Sequence, residues 1–154
     1  MSRSTGEWDV VLRPRLTPLF AYGAAFIIAT AGIVVGLLFN LRDTGAIIQP
    51  ADQFAVASLG VIIAAAVLLL TLPRVRVGPA GIAVRNVVLE RLVPWDEVVD
   101  ISFPEGSRWA RVDIADYEYV PVLAIQAVDG ERAVEAMDTL RSLMAKYRPD
   151  LSRS

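Results

Sequence analysis

The chain has 154 residues, of which 55% are apolar, and it carries a formal net charge of −2 at pH 7. This length accommodates either one ordinary domain or a membrane anchor joined to a small domain. The chain has no cysteine and no histidine, which excludes disulfides, iron–sulfur clusters, thiolate nucleophiles and Cys-based zinc sites. The small negative charge excludes the strongly basic footprint of a nucleic-acid-binding protein.

The same absences argue against an enzyme. Acid–base catalysis without histidine would have to use carboxylates, Tyr, Ser or the sole lysine, Lys146. The sequence has no phosphate-binding P-loop, no dinucleotide fingerprint and no nucleophile elbow. We therefore predict a non-enzymatic protein that uses no cofactor or metal.

Two long uncharged runs come first along the chain. Residues 16–41 lie between Arg15 and Arg42, and residues 53–73 lie between Asp52 and Arg74. Each run is long enough to cross a hydrocarbon core of about 30 Å. A soluble core helix would retain a polar face, and a signal peptide would have an apolar region of only roughly 7–15 residues. We predict a multi-pass membrane protein with a transmembrane helical hairpin.

The charges beside these runs predict the orientation. Arg13 and Arg15 precede the first helix, and Arg74 and Arg76 follow the second, whereas the loop 42–52 has one arginine and two acids. The positive-inside rule makes these four arginines topology anchors. It places residues 1–15 and 74–148 in the cytoplasm and the loop outside the cell membrane.

Small residues mark one face of each predicted helix. They are Ala25, Ala29, Gly32 and Gly36 in the first helix and Gly60 and Ala64 in the second. Such faces let helix backbones approach closely within a membrane. Two interpretations remain: packing within the hairpin, or contact between copies in a homo-oligomer.

After Arg74 the hydrophobic period changes to that of short strands. Turns are predicted at 78–81 and 104–107. The predicted strands are 74–77, 82–89, 91–93, 96–103, a strand bearing Ala110, Val112 and Ile114, and 119–126. In the fourth, we expect Val99, Ile101 and Phe103 to face the same way.

A C-terminal helix follows these strands, with Asp129 as its expected N-cap. Its apolar stripe is Ala133, Met137, Leu140, Met144 and Tyr147. The helix ends before Pro149, and 149–154 form a polar tail. The predicted domain is therefore α+β: a bent antiparallel sheet or open barrel capped by the C-terminal helix.

Several segments carry a resemblance to a known family. These are Arg-Val-Arg-Val from Arg74, Gly-Pro-Ala-Gly-Ile from Gly78, Val-Pro-Trp-Asp-Glu-Val from Val93, and Ala-Ile-Gln from Ala124. Over 73–146 the chain resembles bacterial pleckstrin-homology-like (PH-like) domains, in particular small actinobacterial membrane proteins of the low-molecular-weight-antigen type. The resemblance implies a bent seven-stranded sheet capped by a helix, whereas the residues themselves predict only six strands.

The inositol-phosphate binding known for PH domains is not expected here. It uses basic residues around the first hairpin loop, whereas this loop reads Gly78-Pro79-Ala80-Gly81. From Arg74 onward there are eleven basic and thirteen acidic side chains. Attraction to an anionic leaflet would come mainly from the four arginines beside the helices.

Candidate partner-binding residues lie on the outward face of the strand at 109–114 and in the turn after it. They are Trp109, Arg111, Tyr117 and Tyr119, because exposed Trp, Tyr and Arg dominate binding hot spots. The alternative for Trp109 is a position against the membrane or the helix, whereas Trp95 is expected in the core. Nearby acids lack the Asp-x-Asp-x-Asp-Gly pattern of a calcium loop.

These features favour a membrane-anchored PH-like adaptor or scaffold that binds a partner protein at the cytoplasmic membrane face. The alternative is a small accessory subunit of a transport or envelope-assembly complex that docks through its transmembrane helices. The expected partners are the lipid bilayer, a protein and, in an oligomer, a second copy, but not nucleic acid.

Overall fold

The computed structural model describes residues 8–38 and 49–151 of the chain. The chain forms two compact units: a hairpin unit over 17–71, and a domain formed by 1–16 together with 72–154. Most of the predicted external loop, up to residue 48, and the last three residues of the tail lie outside the described residues.

The hairpin unit consists of two apolar helices, α1 (Leu16–Leu38) and α2 (Pro50–Leu68), and a 3-10 turn over Leu69–Thr71. Their mean hydropathies are 2.1 and 2.6, and both are long enough to cross a membrane. Large apolar side chains such as Phe26 and Phe54 are about three-quarters exposed, which suits contact with lipid rather than a soluble core. The chain is thus a membrane-associated protein.

Helix α2 begins earlier than the uncharged run at residue 53. Pro50 occupies its first turn, where its missing N–H and fixed φ are favourable. The Asp52 carboxylate accepts the backbone N–H of Gln49 at 3.0 Å. An acidic residue in the first turn also complements the helix dipole, so Asp52 belongs to the helix rather than to the loop.

The backbones of the two hairpin helices are in close contact at glycine residues. A Cβ atom added at Gly32 would lie 2.8 Å from the Gly60 Cα, and one added at Gly60 would lie 2.9 Å from the Gly32 Cα. One turn along, a Cβ at Gly36 would lie 3.0 Å from the Gln53 carbonyl oxygen. Ala25 and Ala64 are buried, and Ala29 is half-buried, in the same unit. The small-residue face is therefore used within the hairpin.

The domain contains two antiparallel sheets and a C-terminal helix. The four-stranded sheet has the order β1-β2-β3-β4, and the three-stranded sheet has the order β5-β6-β7. The bounds are β1 Val10–Leu12, β2 Arg74–Gly78, β3 Gly81–Arg85, β4 Glu90–Val93, β5 Val98–Ser102, β6 Trp109–Ile114, β7 Tyr119–Gln126 and α3 Glu131–Tyr147. The predicted α+β architecture is confirmed, with the two apolar helices between β1 and β2.

The seventh strand comes from the segment before the hairpin. In β1, Val10 pairs with Val77 and Leu12 pairs with Val75. The connection between the first two strands is therefore the hairpin unit itself. The predicted turn at Gly78–Gly81 is confirmed, but it joins β2 to β3 and so follows the second strand of the domain rather than the first. A three-residue strand is too short to show a hydrophobic period, which explains why the sequence did not reveal it.

The core fills the space between the two sheets and α3. Its most buried members are Ile82, Ile101, Ile125, Leu140 and valines from every strand from β2 to β7. Trp95 is 7% exposed, donates its Nε1–H to the Gly78 carbonyl at 2.8 Å, and stacks on Tyr147 at a centroid distance of 5.2 Å. Its predicted place in the core is confirmed.

Strand β5 departs from the expected alternation. Its register with β6 shifts between Val98 and Asp100, so one extra residue enters the strand there. Val98 and Ile101 are consequently buried, and Val99 is 51% exposed. The expectation that Val99 shares the face of Ile101 is wrong, because a bulge reverses the alternation around it.

Helix α3 buries Ala133, Met137 and Leu140, as the stripe predicts. Its N-cap is Gly130 rather than Asp129. The Asp129 side chain instead accepts the backbone N–H of Leu16 at 3.0 Å. That carboxylate therefore contacts the segment on which β1 lies, which sequence proximity alone could not indicate.

Candidate functional site

The outer face of the three-stranded sheet holds an ordered arginine. Arg111 forms an ion pair with the Asp113 carboxylate, with Nε 2.9 Å from its oxygen, and donates from Nε to the Ser102 hydroxyl at 3.1 Å. The Ser102 hydroxyl in turn donates to Asp113 at 2.7 Å. The guanidinium carbon lies 5.4 Å from the centroid of the Tyr119 ring, within cation–π range. These contacts hold Arg111 and Tyr119 in place on the surface.

Tyr117 projects from the turn between β6 and β7. Asp116 and Tyr117 have φ values of 65° and 62°, a region that non-glycine residues occupy at an energetic cost. The Ile114 N–H donates to the Glu118 carbonyl at 2.9 Å and closes the turn. The Tyr117 side chain is fully exposed, so the turn displays an aromatic ring to its surroundings.

Exposed groups around this turn form one surface, which we call the tyrosine patch: Val99, Arg111, Tyr117 and Tyr119. They line a shallow cavity of about 370 Å³. Of the four predicted binding residues, the structure brings together Arg111, Tyr117 and Tyr119. The exposure of Val99 depends on the β5 bulge, so simple alternation along the sequence does not predict it.

Trp109 lies at the other end of the sheet. It pairs with Gln126, whereas Tyr119 pairs with Asp113. The tryptophan is 39% exposed. It is therefore separate from the tyrosine patch.

Carboxylates near the patch do not converge on one point. Among the residues that the structure describes, no group of three or more Asp or Glu side chains could hold a metal ion. Asp113 is already engaged by Arg111 and Ser102. The arrangement suits binding through aromatic and cationic side chains.

A second charged surface covers the outer face of the four-stranded sheet. Arg76 forms an ion pair with Glu90, and its guanidinium lies 4.8 Å from the centroid of the Trp8 ring. Arg74 lies 3.7 Å from the same Glu90 carboxylate, and Arg85 pairs across the strands with Arg74. Arg13 and Arg15, the other two predicted anchors, are exposed after β1.

The segment at the start of β1 is tied to the end of α3. The Asp9 carboxylate accepts hydrogen bonds from the Tyr147 hydroxyl and from Lys146, the latter at 3.2 Å. The Tyr147 hydrogen bond, followed by that of Lys146, lowers the pKa of Asp9 below its usual range. These contacts fasten the N-terminal strand to the C-terminal helix.

Comparison with known proteins identifies relatives of the whole chain. A family model described as a bacterial PH domain matches residues 72–143. Uncharacterised proteins of Mycobacterium bovis and of two strains of Mycobacterium tuberculosis are each 59% identical to this chain, over 98% of both sequences. No solved structure matches the chain. The family match begins after the hairpin and therefore does not include β1.

Proposed function

Because this chain belongs to the family of bacterial PH-domain proteins, we propose that it is a membrane-anchored, non-enzymatic adaptor. Its domain holds a partner protein at the cytoplasmic face of the cell membrane. The observation behind this proposal is the tyrosine patch, which joins exposed aromatic rings to an arginine already fixed by its neighbours.

Strand pairing supports a hairpin with both ends on one side of the membrane. Residues before α1 form β1, and residues after α2 form β2, and these strands are hydrogen-bonded neighbours. A single membrane crossing would separate them, so the pairing supports two crossings over one. The arginines at both ends favour the cytoplasm as the common side.

The composition of the patch supports protein binding. Tyrosine and arginine are enriched among residues that dominate binding energy. Tyr119 and Arg111 are already in cation–π contact in the free protein. Binding therefore immobilises few additional side chains, which lowers its entropic cost. The Val99 side chain adds an apolar surface beside them. We propose that a partner buries Tyr117 against this preformed surface.

Photocrosslinking in living cells tests the proposal. A photoreactive phenylalanine at Tyr117 should form an adduct with one discrete protein, identifiable by mass spectrometry. The same residue at Ala80, which is exposed on the β2–β3 turn, is the matched control. Combining the probe with Arg111→Ala should reduce the adduct. Identical products at both positions would contradict a specific patch.

The accessory-subunit alternative receives less support. It requires the small-residue face for docking to another membrane protein, but Gly32 and Gly60 are already in contact within the hairpin. Docking would then have to use the large apolar side chains on the outside of the helices. Those side chains equally suit contact with lipid.

A further inference from the structure

Strand pairing identifies the end of the domain at which the chain arrives from the membrane. Only Leu72 and Pro73 separate the last turn of the second apolar segment from β2. Arg74, the first residue of β2, pairs with Arg85, the last residue of β3. The β3–β4 turn, residues 86–89, therefore extends from this same end. Two extended residues span about 7 Å, so the chain between the apolar helices and this end of the sheet is short.

The sequence of this turn is unusual for its position. The central positions of turns are normally Gly, Pro, Asn or Asp, but here they are Val87 and Val88, between Asn86 and Leu89. Val88 is 70% exposed and Leu89 is 82% exposed. Apolar side chains grouped at such a tip indicate that another surface covers them.

Hydrogen bonds hold the apolar tip outward. The Asn86 N–H donates to the Leu89 carbonyl at 3.2 Å, which closes the turn. The Asn86 side-chain oxygen accepts the Leu123 N–H of β7 at 3.3 Å. The turn is thus attached to both sheets, and Val88 and Leu89 are not part of the core.

Cationic side chains surround the base of the turn. Arg74 and Arg85 lie directly opposite each other, an arrangement that is destabilising for like charges. The Nε atoms of both, and that of Arg76, are buried without a hydrogen-bond partner among the described residues. Glu90 is the carboxylate that pairs with Arg74 and Arg76. This end of the sheet therefore has cationic groups that anionic phosphates would neutralise.

We propose that the β3–β4 turn is a lipid-contacting loop. Val88 and Leu89 enter the boundary between headgroups and acyl chains, while Arg74 and Arg85 face anionic phosphates of the same leaflet. The inference rests on the proposed anchoring by the hairpin and requires no selectivity for a particular headgroup. The neighbouring β6–β7 turn carries Asp116 and Glu118, which such a leaflet repels, so that turn stays available to a protein.

Single-cysteine labelling tests the loop, because the native chain contains no cysteine. Leu89→Cys, labelled with an environment-sensitive dye, is placed in the full chain and reconstituted into phosphatidylcholine–phosphatidylglycerol vesicles. Ala80→Cys and Ala145→Cys are matched controls. Both are exposed, and strand pairing and the Lys146–Asp9 ion pair place them at the opposite end of the domain.

We expect the dye at residue 89 to show a blue-shifted emission and quenching by lipids that carry a spin label near the headgroup. The control dyes should be quenched only by acrylamide in the water. Acrylamide quenching at residue 89 equal to that of the controls would overturn the proposal. Shielding in native membranes but not in pure lipid vesicles would also overturn it, since a protein would then cover the loop.

Failure of the anchoring gives a different result from failure of the loop. If the hairpin did not insert, the protein would not float with the vesicles, and all three dyes would be exposed to water. If only the loop proposal failed, the protein would float while the dye at residue 89 remained accessible to acrylamide. Flotation is therefore measured on every labelled variant.

Discussion

At the scale of single residues, close backbone contact explains why the hairpin needs glycine. The distance from a Cβ at Gly32 to the Gly60 Cα is shorter than any ordinary contact, and the neighbouring atom is backbone rather than a flexible side chain. Neither helix can accommodate a larger residue there without separating from the other. Gly23 differs, since a Cβ at that position meets nothing within 4 Å.

Replacement of Gly32 by Leu should therefore destabilise the hairpin by about 1–3 kcal/mol, the usual cost of overpacking. The measurement is the melting temperature of the full chain in detergent, with thermal unfolding monitored by circular dichroism. Gly23→Leu is the control and should leave the melting temperature nearly unchanged. Equal losses in both variants would show that the effect is not specific to helix contact.

Trp95 is the residue whose loss should most affect the domain. Its ring stacks on Tyr147, and its Nε1–H satisfies the Gly78 carbonyl. Trp95→Ala should cost about 3–5 kcal/mol. Trp95→Phe keeps the ring but leaves the carbonyl unpaired, at a cost of about 1–3 kcal/mol. Near-ultraviolet circular dichroism during denaturation measures both, and equal losses would contradict a separate role for stacking.

At the scale of elements, β1 is the strand on which the domain boundary depends. It covers the edge of β2, and without it β2 would expose unpaired backbone groups that promote aggregation. A fragment beginning at residue 73 should therefore aggregate. A protein in which residues 8–14 are joined to 73–151 by a short Gly-Ser linker should be monomeric and soluble. Size-exclusion chromatography compares the two, and a monomeric fragment without β1 would contradict this role.

The Asp9 contacts should make the attachment of β1 to α3 sensitive to acid. The hydrogen bond from Tyr147, and then that from Lys146, lowers the pKa of Asp9 in the folded state, whereas an unfolded aspartate has a pKa of about 3.9. The contribution to stability is thus present above that value and is lost as the pH falls through the folded pKa.

Asp9→Asn should accordingly lower the melting temperature at neutral pH, and its difference from the native protein should vanish in acid. Melting temperatures recorded from pH 7 down to acid check the expectation. Asp116→Asn, on the exposed β6–β7 turn, serves as the control. A constant difference at every pH would mean that the Asp9 charge has no role.

A structural feature is predictable from the sequence when it depends on residues close together in the chain, and not when it depends on residues far apart. The helices of the hairpin and the α3 stripe follow from local periodicity, and both were predicted. The bulge that exposes Val99 depends on pairing with β6, and the contact of Asp129 with Leu16 joins residues far apart in the chain. The tyrosine patch is predicted only in part: alternation along β6 indicates Arg111 and turn residues indicate Tyr117. Val99 is not predicted, and Trp109, expected in the same set, lies at the other end of the sheet.

At the scale of the whole molecule, the pairing of β1 with β2 implies a definite pattern of membrane sidedness. Cysteines introduced at residues 4, 80 and 145 should react with an impermeant maleimide only after the cell membrane is permeabilised, which gives the reagent access to the cytoplasm. A cysteine at residue 46, in the predicted external loop, should react in intact cells. Labelling of residues 4 and 80 from opposite sides would contradict the shared sheet.

The split position of β1 also has a consequence for synthesis. Leu12 leaves the ribosome about 60 residues before its partner Val75, which at about 5–20 residues per second is a delay of roughly 3–12 s. During that interval both apolar helices emerge from the ribosome. With the proposed double crossing, β1 and β2 return to the same side and can pair, whereas a chain with only one inserted helix holds them on opposite sides and retains an open β2 edge. Completion of the sheet thus distinguishes a doubly inserted hairpin from a singly inserted one.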